Sequence, residues 1–91
     1  MSMGANASRA VALYVRNLPW TVSDRELFQY FRKFGFVSRT KVMFDDNTGM
    51  SKGFGFVQFT KGDSVENALR QNIHRLEGNI IEINTYNKKN F

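Results

Sequence analysis

The 91-residue chain has no cysteine, one proline and one histidine. Without cysteine there is neither a disulfide framework nor a thiolate metal site. The single imidazole, His74, has no carboxylates at matching spacing to complete a zinc site, and it reads as a loop residue. The longest apolar stretch, around Val11–Val15, is far too short to span a bilayer or to serve as a signal core. Basic blocks are scarce as well. "RK" at 32–33 and "KK" at 88–89 are the only doublets, so no polybasic membrane anchor is expected.

The composition is that of an ordinary globular domain, 42% hydrophobic and 23% charged, with room for one core. Thirteen Lys and Arg against eight Asp and Glu give a net charge of +5, a balance that favours a polyanionic partner. Residues 1–9 are small and polar and read as a flexible leader. They precede a domain over residues 10–86 and a basic tail over 87–91.

Along the chain, "VALYVRNLP" has strand composition and is stopped by Pro19, with Leu13 and Val15 on one face and Tyr14 and Arg16 on the other. Ser23 and Glu26 form a capping box before Leu27, Tyr30, Phe31 and Phe34, which recur at helical spacing until Gly35. "SRTKVMF" puts Thr40, Val42 and Phe44 on one face and Arg39, Lys41 and Met43 on the other. The turn "DDNTG" then predicts an antiparallel hairpin with "KGFGFVQF", residues 52–59. Asp63 and Glu66 suggest a second capping box, ahead of a helix whose narrow apolar face is Val65, Ala68 and Leu69. After the turn "EGN" comes the last strand, "IIEINTY", with Ile81 and Ile83 alternating with Glu82 and Asn84.

The predicted order is β-α-β-β-α-β, an α+β two-layer sandwich in which two helices cover one face of a four-stranded antiparallel sheet. Three phenylalanines within eight residues then raise a problem of faces. Phe54 and Phe56 share one parity, and Val57 and Phe59 share the opposite one. With Val57 and Phe59 turned to the helices, Phe54, Phe56 and Tyr14 stand on the open face, among Arg16, Arg39, Lys41 and Lys52. Rings surrounded by cations on an open sheet describe a platform that stacks unpaired bases and neutralises their phosphates. Met43, Gln58, Asn84 and Tyr86 complete the expected RNA-binding set. Glu82 is the discordant member, since a carboxylate there repels phosphate unless it accepts from a base amino group. Trp20, in the first loop, is expected to cap the core.

These residues resemble the RNA recognition motif family. Lys52–Phe59 matches every constrained position of its octamer K/R-G-F/Y-G/A-F-V-x-F/Y, and "LYVRNL", Leu13–Leu18, matches its hexamer. The resemblance covers roughly residues 10–86. It implies a ferredoxin-like sheet of order 4-1-3-2, bases stacked on Tyr14 and Phe56, sugars against Phe54 and a phosphate on Lys52. It also implies that Gly53 and Gly55 clear the inner face for a closely packed helix. "NLPWT", the long hairpin turn and "NIHRLEGNIIEI" are similar to a narrower group, the small single-domain SRA stem-loop-interacting RNA-binding proteins of mitochondria. That likeness implies transcript stabilisation beside a helical-repeat RNA-binding partner, in a chain monomeric by itself. The expected compartment is the mitochondrion, with nucleus or cytoplasm as alternatives, because no acidic residue precedes Asp24.

Two other classes fit less well. Peptide-gripping relatives lose the outer aromatics or carry an R-x-F loop, and "RQNIHRL" has none. For an enzyme there is no nucleophile–base–acid set, and Gln58 stands where G-x-G-x-x-G requires its third glycine. No cofactor is expected.

Overall fold

A computed structural model of the chain describes residues 11–86; the leader at 1–9 and the tail at 87–91 lie outside the described residues. The elements are β1 (Ala12–Arg16), α1 (Asp24–Phe31) continued by a 3-10 turn (Arg32–Phe34), β2 (Val37–Phe44), β3 (Ser51–Phe59), α2 (Gly62–Arg70), β4 (His74–Leu76) and β5 (Asn79–Tyr86). The strands form one sheet of order β2-β3-β1-β5-β4, and every pairing is antiparallel.

The expected four strands are thus five. The additional strand, β4, pairs His74 with Ile81, Arg75 with Ile80 and Leu76 with Asn79. Its hairpin closes through Glu77 and Gly78, both at positive φ (52° and 90°), the conformation that matches the right-handed twist of two short strands. Three residues are too few to show alternation, so the segment reads as loop from sequence.

Local chemistry explains the remaining boundaries. At the start of α1 the Glu26 carboxylate accepts from the Ser23 backbone N–H at 2.8 Å and from the Ser23 hydroxyl. These bonds hold its pKa below the usual carboxylate value. The α-helix ends at Phe31, three residues before the last ring of the predicted stripe. Gly35 follows at φ 156°, where any Cβ would collide with the Ser64 side chain. In the β2–β3 turn, Asp45 accepts from the N–H groups of Asn47 (2.8 Å) and Thr48 (3.0 Å), and these bonds lower its pKa. The second capping box does not start α2. Lys61 is its N-cap and Asp63 already lies in its first turn.

The core lies between helices and sheet. Leu27 and Phe31 of α1 and Val65 and Ala68 of α2 meet Leu13, Val15, Val42, Val57, Phe59 and Ile81, with Ile83 half-buried beside them. Three inward assignments change. Leu69 and Phe44 are exposed, the latter just past a register irregularity between Val42 and Phe44. Trp20 does not cap the core; it is 80% exposed. His74 is no loop residue. It is 2% exposed, and its ring packs against Phe31, Phe34 and Tyr30.

Candidate nucleic-acid interface

The sheet register assembles the open face row by row. Tyr14 on β1 lies between Phe56 on β3 and Asn84 on β5, and Phe56 is in turn opposite Lys41 on β2. One row along, Ala12 lies between Gln58 and Tyr86, with Arg39 beyond Gln58. In the other direction Arg16 lies between Phe54 and Glu82. Side chains of these rows share a face because successive residues of a strand alternate.

The rings form one cluster. Tyr14 is 5.4 Å from Phe56 and 5.6 Å from Phe54, centroid to centroid, and Phe54 meets Phe56 edge-on at 6.3 Å. Tyr86 extends it, 4.8 Å from Phe56 and paired across the sheet with the buried Ala12. All four rings are partly exposed, whereas Val57 and Phe59, on the same strand, are buried. Beside the cluster is a depression of about 90 Å³ lined by Ala12, Arg39, Lys41, Phe56 and Gln58. Arg39 and Lys41 are exposed at its wall.

The other expected residues are placed less simply. Arg16 is committed to Glu82, Nη2 to Oε1 at 2.6 Å, so the discordant carboxylate is partnered on the face itself. Nothing in the local pattern predicts a pair 66 residues apart. Gly53, at φ +82°, interrupts the alternation between Lys52 and Phe54. Lys52 is exposed near the β2–β3 turn, close enough to favour ionisation of Asp45. Met43 is half-buried at the β2 irregularity.

Neither glycine clears space for a helix. A Cβ on Gly55 would lie 3.0 Å from Val42 Cα and closer still to the Lys41 carbonyl oxygen, so this glycine admits the backbone of β2. Gly53 serves conformation instead, and its carbonyl accepts from Leu18 N–H at 2.9 Å, holding the first loop against β3.

An antiparallel sheet with clustered rings and flanking cations on the face away from the described helices fits a nucleic-acid-binding class of α+β domain. The RNA recognition motif profile matches residues 13–82, and the chain belongs to that family. The SRA stem-loop-interacting RNA-binding protein, mitochondrial, of Bos taurus is 40% identical over 78 residues, covering 86% of this chain and 69% of that protein. Its Mus musculus counterpart is 36% identical over 88 residues, 97% and 78% respectively. Heterogeneous nuclear ribonucleoprotein 1 of Arabidopsis thaliana is 36% identical over 83 residues, covering 90% of this chain but only 20% of that protein. Among solved structures, the RNA-binding domain of Hrp1 in complex with RNA superposes with a TM-score of 0.79 at 32% identity, over 90% of this chain and 48% of that one. The RNA15 RRM, at 24% identity and a TM-score of 0.81, shares the fold. The ferredoxin-like architecture is therefore established, with a fifth strand added at one edge. The chain is an RNA-binding domain of a non-enzymatic family.

Proposed function

We propose that the open face holds unpaired RNA by stacking successive bases on Tyr14 and Phe56, with Phe54 against the intervening sugars. The observation that carries this reading is the partly exposed ring cluster on the sheet face opposite the two described helices. Arg39, Lys41 and Lys52 donate to the phosphates, and Arg39 and Lys41 line one depression beside Phe56 where both can reach the same phosphate. Gln58, Asn84 and Tyr86 border the stacking positions and read base edges. Met43 lies on β2, the strand that carries Arg39 and Lys41.

The biological role that goes with this site is post-transcriptional, in stabilising or processing transcripts. Two relatives have "mitochondrial" in their names, and this supports a mitochondrial role beside a larger helical-repeat RNA-binding protein. The name of the Arabidopsis thaliana heterogeneous nuclear ribonucleoprotein supports nuclear work instead. Crosslinking in cells followed by sequencing of the attached RNA separates the two, since organelle transcripts and nuclear pre-mRNA do not overlap.

The test of the site itself is competition. A short unpaired RNA displaces a labelled strand far better than the same RNA annealed to its complement, because paired bases cannot reach the rings. Equal competition by the duplex would remove stacking from the mechanism.

A further inference from the structure

The structure has a second candidate surface, on the opposite side of the sheet from the rings. Where α1 runs through its 3-10 turn into β2, Phe28, Phe34, Phe36 and Val37 line an open groove of about 490 Å³, with Arg32 and Lys33 among its walls. That volume lies within the range of pockets that take a ligand or an anchoring side chain.

Phe36 is 81% exposed and Phe28 39%. Neither residue contributes to the core, and neither belongs to the open face of the sheet. The Phe36 ring nevertheless stands on fixed backbone. Its carbonyl accepts from Thr60 N–H at 3.0 Å, Val37 pairs with Phe59, and the Phe34 carbonyl accepts from Asn67 Nδ2 at 3.2 Å. Fixed backbone beneath an exposed aromatic removes the loop-ordering part of the entropy that binding would otherwise cost.

The charges decide what fits. Among the described residues, Arg32 and Lys33 are the only ionisable ones that line the groove, and the Lys33 ammonium lies 4.2 Å from the Tyr30 ring centroid. The carboxylates of α1 are engaged at its other end, Glu26 with Ser23 and Asp24 with the Val42 N–H at 2.6 Å. That second bond also occupies an outward N–H of the edge strand β2, which opposes addition of a peptide as a further strand there. A second copy of this chain, at net charge +5, is a poor electrostatic match, and the first ten residues of the chain contain no carboxylate.

We infer that the Phe28–Phe34–Phe36 groove docks a segment of a partner protein in which a large apolar side chain is flanked by aspartate or glutamate. The apolar side chain fills the space between the rings, and the carboxylates meet Arg32 and Lys33. Because the groove and the ring platform lie on different faces, the partner and RNA bind at the same time.

The experiment is selection of short random peptides displayed on phage against the intact protein, followed by titration of the enriched peptides. The expected consensus is an apolar residue between acidic ones. Phe36→Ser, which alters only an exposed ring, lowers the affinity of these peptides about tenfold or more, as loss of an aromatic anchor does. The paired charge reversal Arg32→Glu with Lys33→Glu abolishes the acidic preference. RNA affinity stays unchanged in Phe36→Ser. Three outcomes overturn the inference: a consensus without acidic bias, peptides that survive Phe36→Ser but are lost in Phe56→Ala, or concentration-dependent dimers that Phe36→Ser dissolves. The second would place the peptides on the RNA platform, and the third would make a second copy the occupant.

Discussion

Phe56 and Phe59 differ by three positions in one strand, yet their environments are opposite. Phe56 is partly exposed among the surface rings of Tyr14, Phe54 and Tyr86, whereas Phe59 is 1% exposed and meets Phe31 across the core. Removing the first ring therefore acts on RNA and removing the second acts on the fold. Phe56→Ala is expected to weaken RNA binding by about 1–3 kcal/mol with unfolding unaltered. Phe59→Ala is expected to cost about 3–5 kcal/mol of stability. Urea unfolding and RNA titration of both variants give the comparison, and the reverse pattern would mean that β3 is turned over. This much was legible in the sequence, because alternation and the octamer both act on neighbouring residues. Arg16 shows where legibility stops. Its partner, Glu82, is brought beside it only by the β1–β5 register, so the sequence leaves it as a free cation.

At the scale of elements, the helices and the four longer strands were legible from periodicity and caps, and β4 was not. Besides its pairing with β5, β4 is tied to the helices by one buried imidazole. His74 Nε2 lies 2.9 Å from the Ala68 carbonyl, which can only accept, so this nitrogen carries the proton of the neutral ring. Nδ1 then accepts from the Tyr30 hydroxyl at 2.7 Å. Burial depresses the His74 pKa below its ordinary 6.5, and the nearby Lys33 charge acts in the same direction. The unfolded chain therefore binds a proton that the folded chain refuses. The resulting stability is complete above about pH 6.5 and is lost as pH falls from there toward the depressed folded-state pKa. Chemical denaturation from about pH 7.5 to about pH 5 is expected to show falling stability, and His74→Gln to flatten it. A slope retained in His74→Gln would assign the titration to another group. Glu26 and Asp45, both lowered by hydrogen bonds, act only below their ordinary values of 4.5 and 3.8 and leave this window clear.

For the whole molecule, the surplus of positive charge is less available to RNA than its total suggests. With Arg16 paired to Glu82, the cations left among the described residues for the proposed phosphate contacts are Arg39, Lys41 and Lys52. Each phosphate neutralised on a single strand contributes about −0.7 to the log–log dependence of affinity on salt, so three predict a slope of about −2. Glu82→Gln releases Arg16. It is expected to tighten binding and to steepen the slope by about 0.7. A slope unchanged in that variant would show that Arg16 does not reach the phosphates even when free.

Trp20 is the chain's only indole, and it lies in the first loop with 80% of its surface in water. Its fluorescence is therefore nearly the same in the folded and unfolded protein. An emission-monitored melt would record little of the transition, while far-ultraviolet circular dichroism would follow it fully. The same property makes the fluorescence of this residue a local signal. Through Leu18 the loop is bonded to Gly53, at the entrance to the ring platform, so a shift in emission on adding RNA reports an event at that edge against a silent background.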